Sequence, residues 1–341
     1  MEEKAPLRGN RLAFIYFLTK AFNMPIIDFP LEQLKVYKPP LTRRSDFKRF
    51  WDENVKLADE QPLNHVLKKI EYPVKKLEAY LLSFEGFMDK TPITCWFLKP
   101  VGRGPFPALL IPHGYGWHRG TVSDYLGWVF QDIVVLAIDI RGQFGDTPDF
   151  AKYPSGSITG YMTKGILDKN TYYYRYVYMD CLRALKVLYQ MDCVDENRVG
   201  VTGASQGGGL TLVVSALGSK IALSMPEIPF LCHFERAVEV AASDPYLEIP
   251  RYLKMHPDKS EKVFETLSYF DAMNFAPDIN CPILMSVGLT DTVCPPSTIF
   301  AAFNHLASKT KELAIYPGMG HECLSVHREK MIEWVSKHLL Q

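Results

Sequence analysis

The chain has 341 residues, 47% hydrophobic and 22% charged, with 38 basic and 38 acidic side chains that cancel. This is the composition of a folded protein with a large core and argues against disorder; zero net charge leaves nucleic-acid binding without electrostatic support. Seven cysteines, at 95, 181, 193, 232, 281, 294 and 323, are scattered with no C-x-x-C pair, so no zinc knuckle or thioredoxin-type site is indicated and a reduced, cytoplasmic protein is expected.

Near the N-terminus, Arg11, the apolar run Leu12–Leu18 and Lys20 have the outline of a signal peptide. The run is short, Lys20 follows it at once and no small-x-small cleavage site appears, so residues 1–23 read as an amphipathic extension, with a secretion signal as the alternative. The run is too short to span a bilayer, and no membrane association is expected.

Residues 45–70 carry a helical pattern with Phe47, Phe50, Trp51, Val55 and Leu57 as apolar-face positions. Residues 76–87 and 92–99 read as an antiparallel pair opening a sheet. Buried-type strands follow at 107–112 and 133–140, then a long helix at 172–191, a strand at 198–202 and a helix at 210–217. Further strands are expected at 221–226, 282–288 and 312–316, before a closing amphipathic helix at 322–339. Apolar strands alternating with helices imply an α/β fold, a mostly parallel sheet covered on both faces. Residues 229–279 interrupt the alternation with a helical, aromatic-rich block, read as a small lid-like insertion at the C-terminal edge of the sheet. There are no repeats and no linker that would divide the chain, so residues 24–341 are read as one domain.

Gly203-Ala204-Ser205-Gln206-Gly207 matches G-x-S-x-G between an expected strand and helix. That is the nucleophile elbow of the α/β-hydrolase fold, where small neighbours let the backbone turn tightly and lift the serine above the sheet. The Gln206 N–H, near a helix start, is one expected oxyanion donor. The fold places its triad in the chain order Ser, acid, His. His321, in Gly318-Met319-Gly320-His321-Glu322 after the last strand, is the expected base, with His233 and His256 of the lid block as weaker alternatives. Asp291, just past the strand at 282–288, is the expected acid; Asp244 is the runner-up. His113-Gly114-Tyr115-Gly116 follows the first buried strand, where this fold supplies its second oxyanion N–H, here from Tyr115. His113 is expected to support that loop, and Arg141 either to brace the elbow or to form a loop salt bridge.

Arg141-Gly142-Gln143, Gly203-Ala204-Ser205-Gln206-Gly207-Gly208 and His321-Glu322 together resemble the acetyl xylan esterase / cephalosporin C deacetylase family of carbohydrate esterases. Supporting stretches are Tyr172–Asp180 and Gly288–Asp291 running through Pro295–Thr298, and the similarity extends from Met24-Pro25-Ile26-Ile27-Asp28 to the C-terminus. The resemblance implies hydrolysis of acetyl esters on small substrates such as acetylated xylo-oligosaccharides and cephalosporin C, without cofactor or metal. It also implies a homohexamer with active sites facing an interior cavity. The family's triad corresponds to Ser205, Asp291 and His321, and its oxyanion donors to Tyr115 and Gln206.

Two features depart from the family: residues 1–23 precede its usual start, and Phe144 stands where glycine is common, where its bulk is expected to alter the turn or narrow the pocket. The alternatives are a general short-chain carboxylesterase of the same fold and a catalytically silent binding protein, although no triad candidate is missing.

Overall fold

The computed structural model describes residues 27–341. The expected N-terminal extension and Met24–Ile26 of the family-like stretch lie outside the described residues.

Helix α1 (Leu31–Val36) leads to α2 (Phe47–Glu60), which buries Phe47, Phe50, Trp51, Asn54 and Ala58 along one stripe. The helix expected over 45–70 ends early. Pro62 cannot donate to a continuing helix, and Val66–Ile70 instead form strand β1, paired with Ser83 through Ala79. Lys68 and Lys69 on this exposed edge guard it against pairing with another chain.

Strands β2 (Leu77–Glu85) and β3 (Pro92–Pro100) form the expected antiparallel pair. Then come β4 (Phe106–Pro112), the short α3 (Leu126–Val129), β5 (Val134–Ile138), α4 (Tyr173–Tyr189), β6 (Val194–Ala204) and α5 (Gln206–Leu217). Strand β7 (Ile221–Glu227) precedes the insertion, which contains α6 (Phe234–Val240), α7 (Glu248–Met255), α8 (Ser260–Ser268) and α9 (Ala272–Phe275). The chain closes with β8 (Ile283–Gly288), α10 (Pro296–His305), β9 (Lys311–Tyr316) and α11 (Ser325–His338).

Among the described residues the strands form one sheet in the order β1-β2-β3-β5-β4-β6-β7-β8-β9. Every pairing from β5 to β9 is parallel, and β1–β3 add the antiparallel edge. The period-two alternation of β5 divides the core: Val134, Leu136 and Ile138 join the cluster under α2, α4 and α5, while Val135 and Ala137 join the one under α3 and α11. Apolar side chains are needed on both faces, which is why β5 is apolar at every position.

The insertion is tied down from its centre. Buried Asp271 accepts backbone N–H groups from His233 and Phe234 (2.7 and 2.9 Å) and caps α9 through Met273 N–H (2.9 Å). Among the described residues no helix is long and apolar enough to cross a membrane.

Candidate active site

Strand β6 delivers Ser205 to a sharp turn before α5, with φ 56° and ψ −118°. A Cβ on Gly203 would meet the Pro112 carbonyl oxygen at 2.6 Å, and one on Gly207 the same oxygen at 2.2 Å, so only glycine lets the turn lie against the end of β4. The Ser205 N–H donates to Glu227 O (3.0 Å), and its carbonyl accepts from Gly209 and Phe230 N–H (3.0 and 2.9 Å). The residue is therefore fixed by bonds on both sides of its peptide unit.

Gln206 is the first residue of α5, so its N–H has no intrahelical acceptor. Its fully buried side chain accepts hydrogen bonds from Gln143 Nε2 (3.0 Å) and the Tyr174 hydroxyl (2.9 Å). Gln143 also accepts from Gly116 N–H (2.8 Å). One buried amide thus joins the elbow to the Tyr115 loop. His113 sits beneath that loop: its Nε2 accepts from Ile140 N–H (2.9 Å), which puts the proton on Nδ1 for donation to Gly114 O (2.7 Å). Burial lowers its pKa to about 4, so the ring is neutral. Among the described residues, the N–H groups of Tyr115 and Gln206 have no protein acceptor.

Asp291 lies in the turn after β8, fully buried. Its Oδ1 accepts from Val293 and Cys294 N–H, both at 2.8 Å, and its Oδ2 is 2.8 Å from His321 Nδ1. His321 stands on the loop after β9, partly exposed. That loop reaches Asp291 because Gly288 has no side chain: a Cβ there would meet Met319 O at 2.4 Å and Gly320 O at 2.5 Å. Thr290 N–H donates to Met319 O (3.0 Å), fastening the two loops together. The Ser205 hydroxyl lies beside the Cys294 thiol. Cys294, Asp291 and His321 each offer a donor atom within 4.8 Å of the others. All five residues singled out from sequence therefore gather around the ends of β4, β6, β8 and β9.

The alternatives lie elsewhere. Asp244 is exposed and paired with Arg251 (2.7 Å). His233 is buried against the Tyr37 hydroxyl (3.0 Å), and His256 ends α7 on the surface, packed on Tyr252. Arg141 is a buried structural ion, bidentate to Asp180 (2.6 and 3.0 Å) and bonded to Asp89 (2.7 Å). The expected effect of Phe144 on the turn is not found. Its side chain is 80% exposed while its N–H donates to Trp117 O (3.1 Å), so the ring projects into solvent.

Two site neighbours carried no sequence signal. The Tyr115 hydroxyl donates to Glu248 Oε1 (2.5 Å) and accepts from Tyr161 N–H (2.5 Å), pinning the Tyr115 loop to the start of α7. Cys294 is the other; burial and the Asp291 charge hold its thiol well above the usual range. Both residues lie far from Ser205 in sequence; Cys294 falls within the stretch Gly288–Thr298 that supports the family resemblance, but nothing in it singles out the thiol.

The acetyl xylan esterase (AXE1) family model matches residues 24–338. The structure is similar to an acetyl xylan esterase from Paenibacillus sp. R4, with TM-score 0.89 and 45% identity over 91% of this chain and 100% of that one. Acetyl xylan esterase 1 from Thermoanaerobacterium sp. JW/SL YS485 superposes with TM-score 0.87 and 33% identity, covering 91% and 99%. Acetyl esterase Axe7A of Xylanibacter ruminicola is 27% identical over 317 residues, 89% of this chain and 70% of that protein. An acylaminoacyl peptidase of Pyrococcus horikoshii, at 16% identity and TM-score 0.58, shares the fold alone. With its α/β-hydrolase sheet and a family match spanning nearly the whole described chain, the protein belongs to the acetyl xylan esterase family of carboxylic ester hydrolases.

Proposed function

We propose that the protein is a serine deacetylase that removes acetyl groups from small acetylated substrates through Ser205, His321 and Asp291. The observation that carries this reading is the His321 Nδ1–Asp291 Oδ2 hydrogen bond of 2.8 Å, formed at the strand ends where the elbow presents Ser205. Asp291 orients the imidazole and stabilises its charged form, so that His321 Nε2 can take the Ser205 proton. Ser205 Oγ attacks the acetyl carbonyl, and the oxyanion is held by the free N–H groups of Tyr115 and Gln206, each worth about 3 kcal/mol. His321 then protonates the leaving sugar oxygen and activates the water that releases acetate. No step calls for a metal or an organic cofactor.

Acetylated xylo-oligosaccharides and cephalosporin C-like acetyl esters are the proposed substrates. The exposed rings of Trp117 and Phe144, on the loops that carry Tyr115 and Gln143, offer apolar faces for a sugar leaving group. We further propose a homohexamer acting in the cytoplasm, without nucleic-acid or membrane partners; light scattering of the purified protein tests the assembly. The decisive experiment compares p-nitrophenyl acetate, butyrate and octanoate, with Ser205→Ala as control. Turnover should fall steeply with acyl length and vanish in the variant. Preference for octanoate would move the reading to a general carboxylesterase.

A further inference from the structure

Cys294 is a fully buried thiol pressed against the proposed catalytic groups, and the esterase mechanism has no use for it. Its sulfur, an Asp291 carboxylate oxygen and a His321 ring nitrogen lie within 4.8 Å of one another. We propose that these three residues form an inhibitory binding site for a thiophilic divalent cation of the zinc class.

The donor chemistry selects that class. Sulfur, nitrogen and oxygen together suit zinc or cadmium, whereas magnesium and calcium take oxygen ligands. Zinc binds thiolate at about 2.3 Å and imidazole or carboxylate at roughly 2.0–2.2 Å, so tetrahedral donors stand about 3.5 Å apart. Closing from 4.8 Å or less requires a movement of about 1.3 Å at most. The structure also indicates which part moves. Asp291 and Cys294 share one turn, clamped by Cys294 N–H on Asp291 Oδ1 (2.8 Å), while His321 rides a partly exposed loop and closes on them. The fourth position is left to water or the neighbouring Ser205 oxygen.

Charge balance favours occupancy of a buried site. As the metal–sulfur bond forms, the thiol proton leaves to solvent; one thiolate and one carboxylate then neutralise the dication, so no net charge is buried. Coordination takes the lone pair of one ring nitrogen and leaves the ring's single proton on the other, so neither nitrogen can accept the Ser205 proton and occupancy stops turnover. This last step rests on the proposed triad; the binding itself does not.

The test uses the full chain, freed of metal by a chelator and titrated with Zn²⁺ during p-nitrophenyl acetate hydrolysis. Occupancy is read separately with Co²⁺, whose bond to thiolate gives a near-ultraviolet charge-transfer band. A single equivalent of Zn²⁺ should abolish turnover, reversibly on chelation, and Co²⁺ should show the band. Cys294→Ala should lose the band and weaken inhibition at least about tenfold. Cys294→Ser, closer in size, serves the same purpose if alanine disturbs folding. Cys323→Ala removes the exposed thiol two residues from His321 and should change neither readout. Absence of the band, or equal Zn²⁺ sensitivity in the Cys294 variants, overturns the site. Turnover surviving at full occupancy overturns the inhibitory role. Failure of the triad reading is recognised independently, by turnover that persists in Ser205→Ala.

Discussion

Ser205 is held at φ 56°, ψ −118°, a backbone region that costs a residue with a side chain on the order of 1–3 kcal/mol. Its three backbone hydrogen bonds, to Glu227, Gly209 and Phe230, oppose that strain and keep Oγ presented. The strain predicts a difference between two inactive variants. Ser205→Ala retains the Cβ and its cost, whereas Ser205→Gly releases it while gaining freedom in the unfolded chain. The glycine variant should be the more stable by about 1 kcal/mol net, read as a shift in urea midpoint. Equal midpoints would mean that the turn is not strained. At the other end of the site, Asp291 has both oxygens engaged, one by two backbone N–H groups and one by His321. In Asp291→Asn the carbonyl oxygen can keep the two backbone donors, which turns the amide NH₂ toward His321 and imposes the wrong tautomer. The acetate kcat should fall by about 10⁴ with KM little changed. A loss below about tenfold would remove Asp291 from the mechanism.

Between elements, the decisive contact is the approach of the β9–α11 loop to the end of β8. Gly288→Ala would drive a methyl group into the Met319 and Gly320 carbonyl oxygens and push His321 away from Asp291. Because a misplacement of about 1 Å in a reacting group costs about 10²-fold, kcat should fall by that order, and because the clashing atoms are backbone the unfolding midpoint should fall too, by the equivalent of about 1–3 kcal/mol. An unchanged kcat would show that the loop does not set the position of His321. This contact also marks the limit of sequence reading. The positions of Ser205, Tyr115, Asp291 and His321 beside one another at strand ends were legible because each is a residue type just past a strand, in an order the fold requires. The steric role of Gly288, the Glu248 anchor of Tyr115 and the closeness of Cys294 to the histidine are relations between segments, and no local pattern encodes them. The misread helix over 61–70 has a local cause. Val66-Leu67-Lys68-Lys69-Ile70 is too short and too charged to display strand alternation, and only its pairing with β2 makes it a strand. Pro62 was the available signal that α2 had ended.

Across the whole molecule, three buried histidines make stability depend on acid. His113 supports the Tyr115 loop, His233 joins the insertion to Tyr37, and His327 docks α11 on Tyr316. Burial is the largest cause in each case, and each pKa is lowered to about 4. Geometry agrees: His233 Nδ1 and His327 Nε2 are buried with no partner among the described residues, so protonating either would bury an N–H without an acceptor. In the unfolded chain the same groups titrate near 6.5. Their contribution is therefore complete above about pH 6.5 and is lost as pH falls toward about 4, worth about 3 kcal/mol each. Asp271 runs the other way. Burial raises its pKa to about 6 against three N–H donors, so the folded state takes up its proton before the unfolded state does and gains stability as pH falls below that value. One such carboxyl offsets one histidine, leaving a net uptake of about two protons on unfolding near pH 5.5. From these four groups, the unfolding free energy should fall by roughly 2.5 kcal/mol for each pH unit between about pH 6 and pH 5, a large fraction of the 5–15 kcal/mol usual for a folded protein. Urea titrations across that range measure the slope directly, and His327→Asn should lower it by about one proton. A flat profile there would mean that the buried rings already carry protons in the folded state.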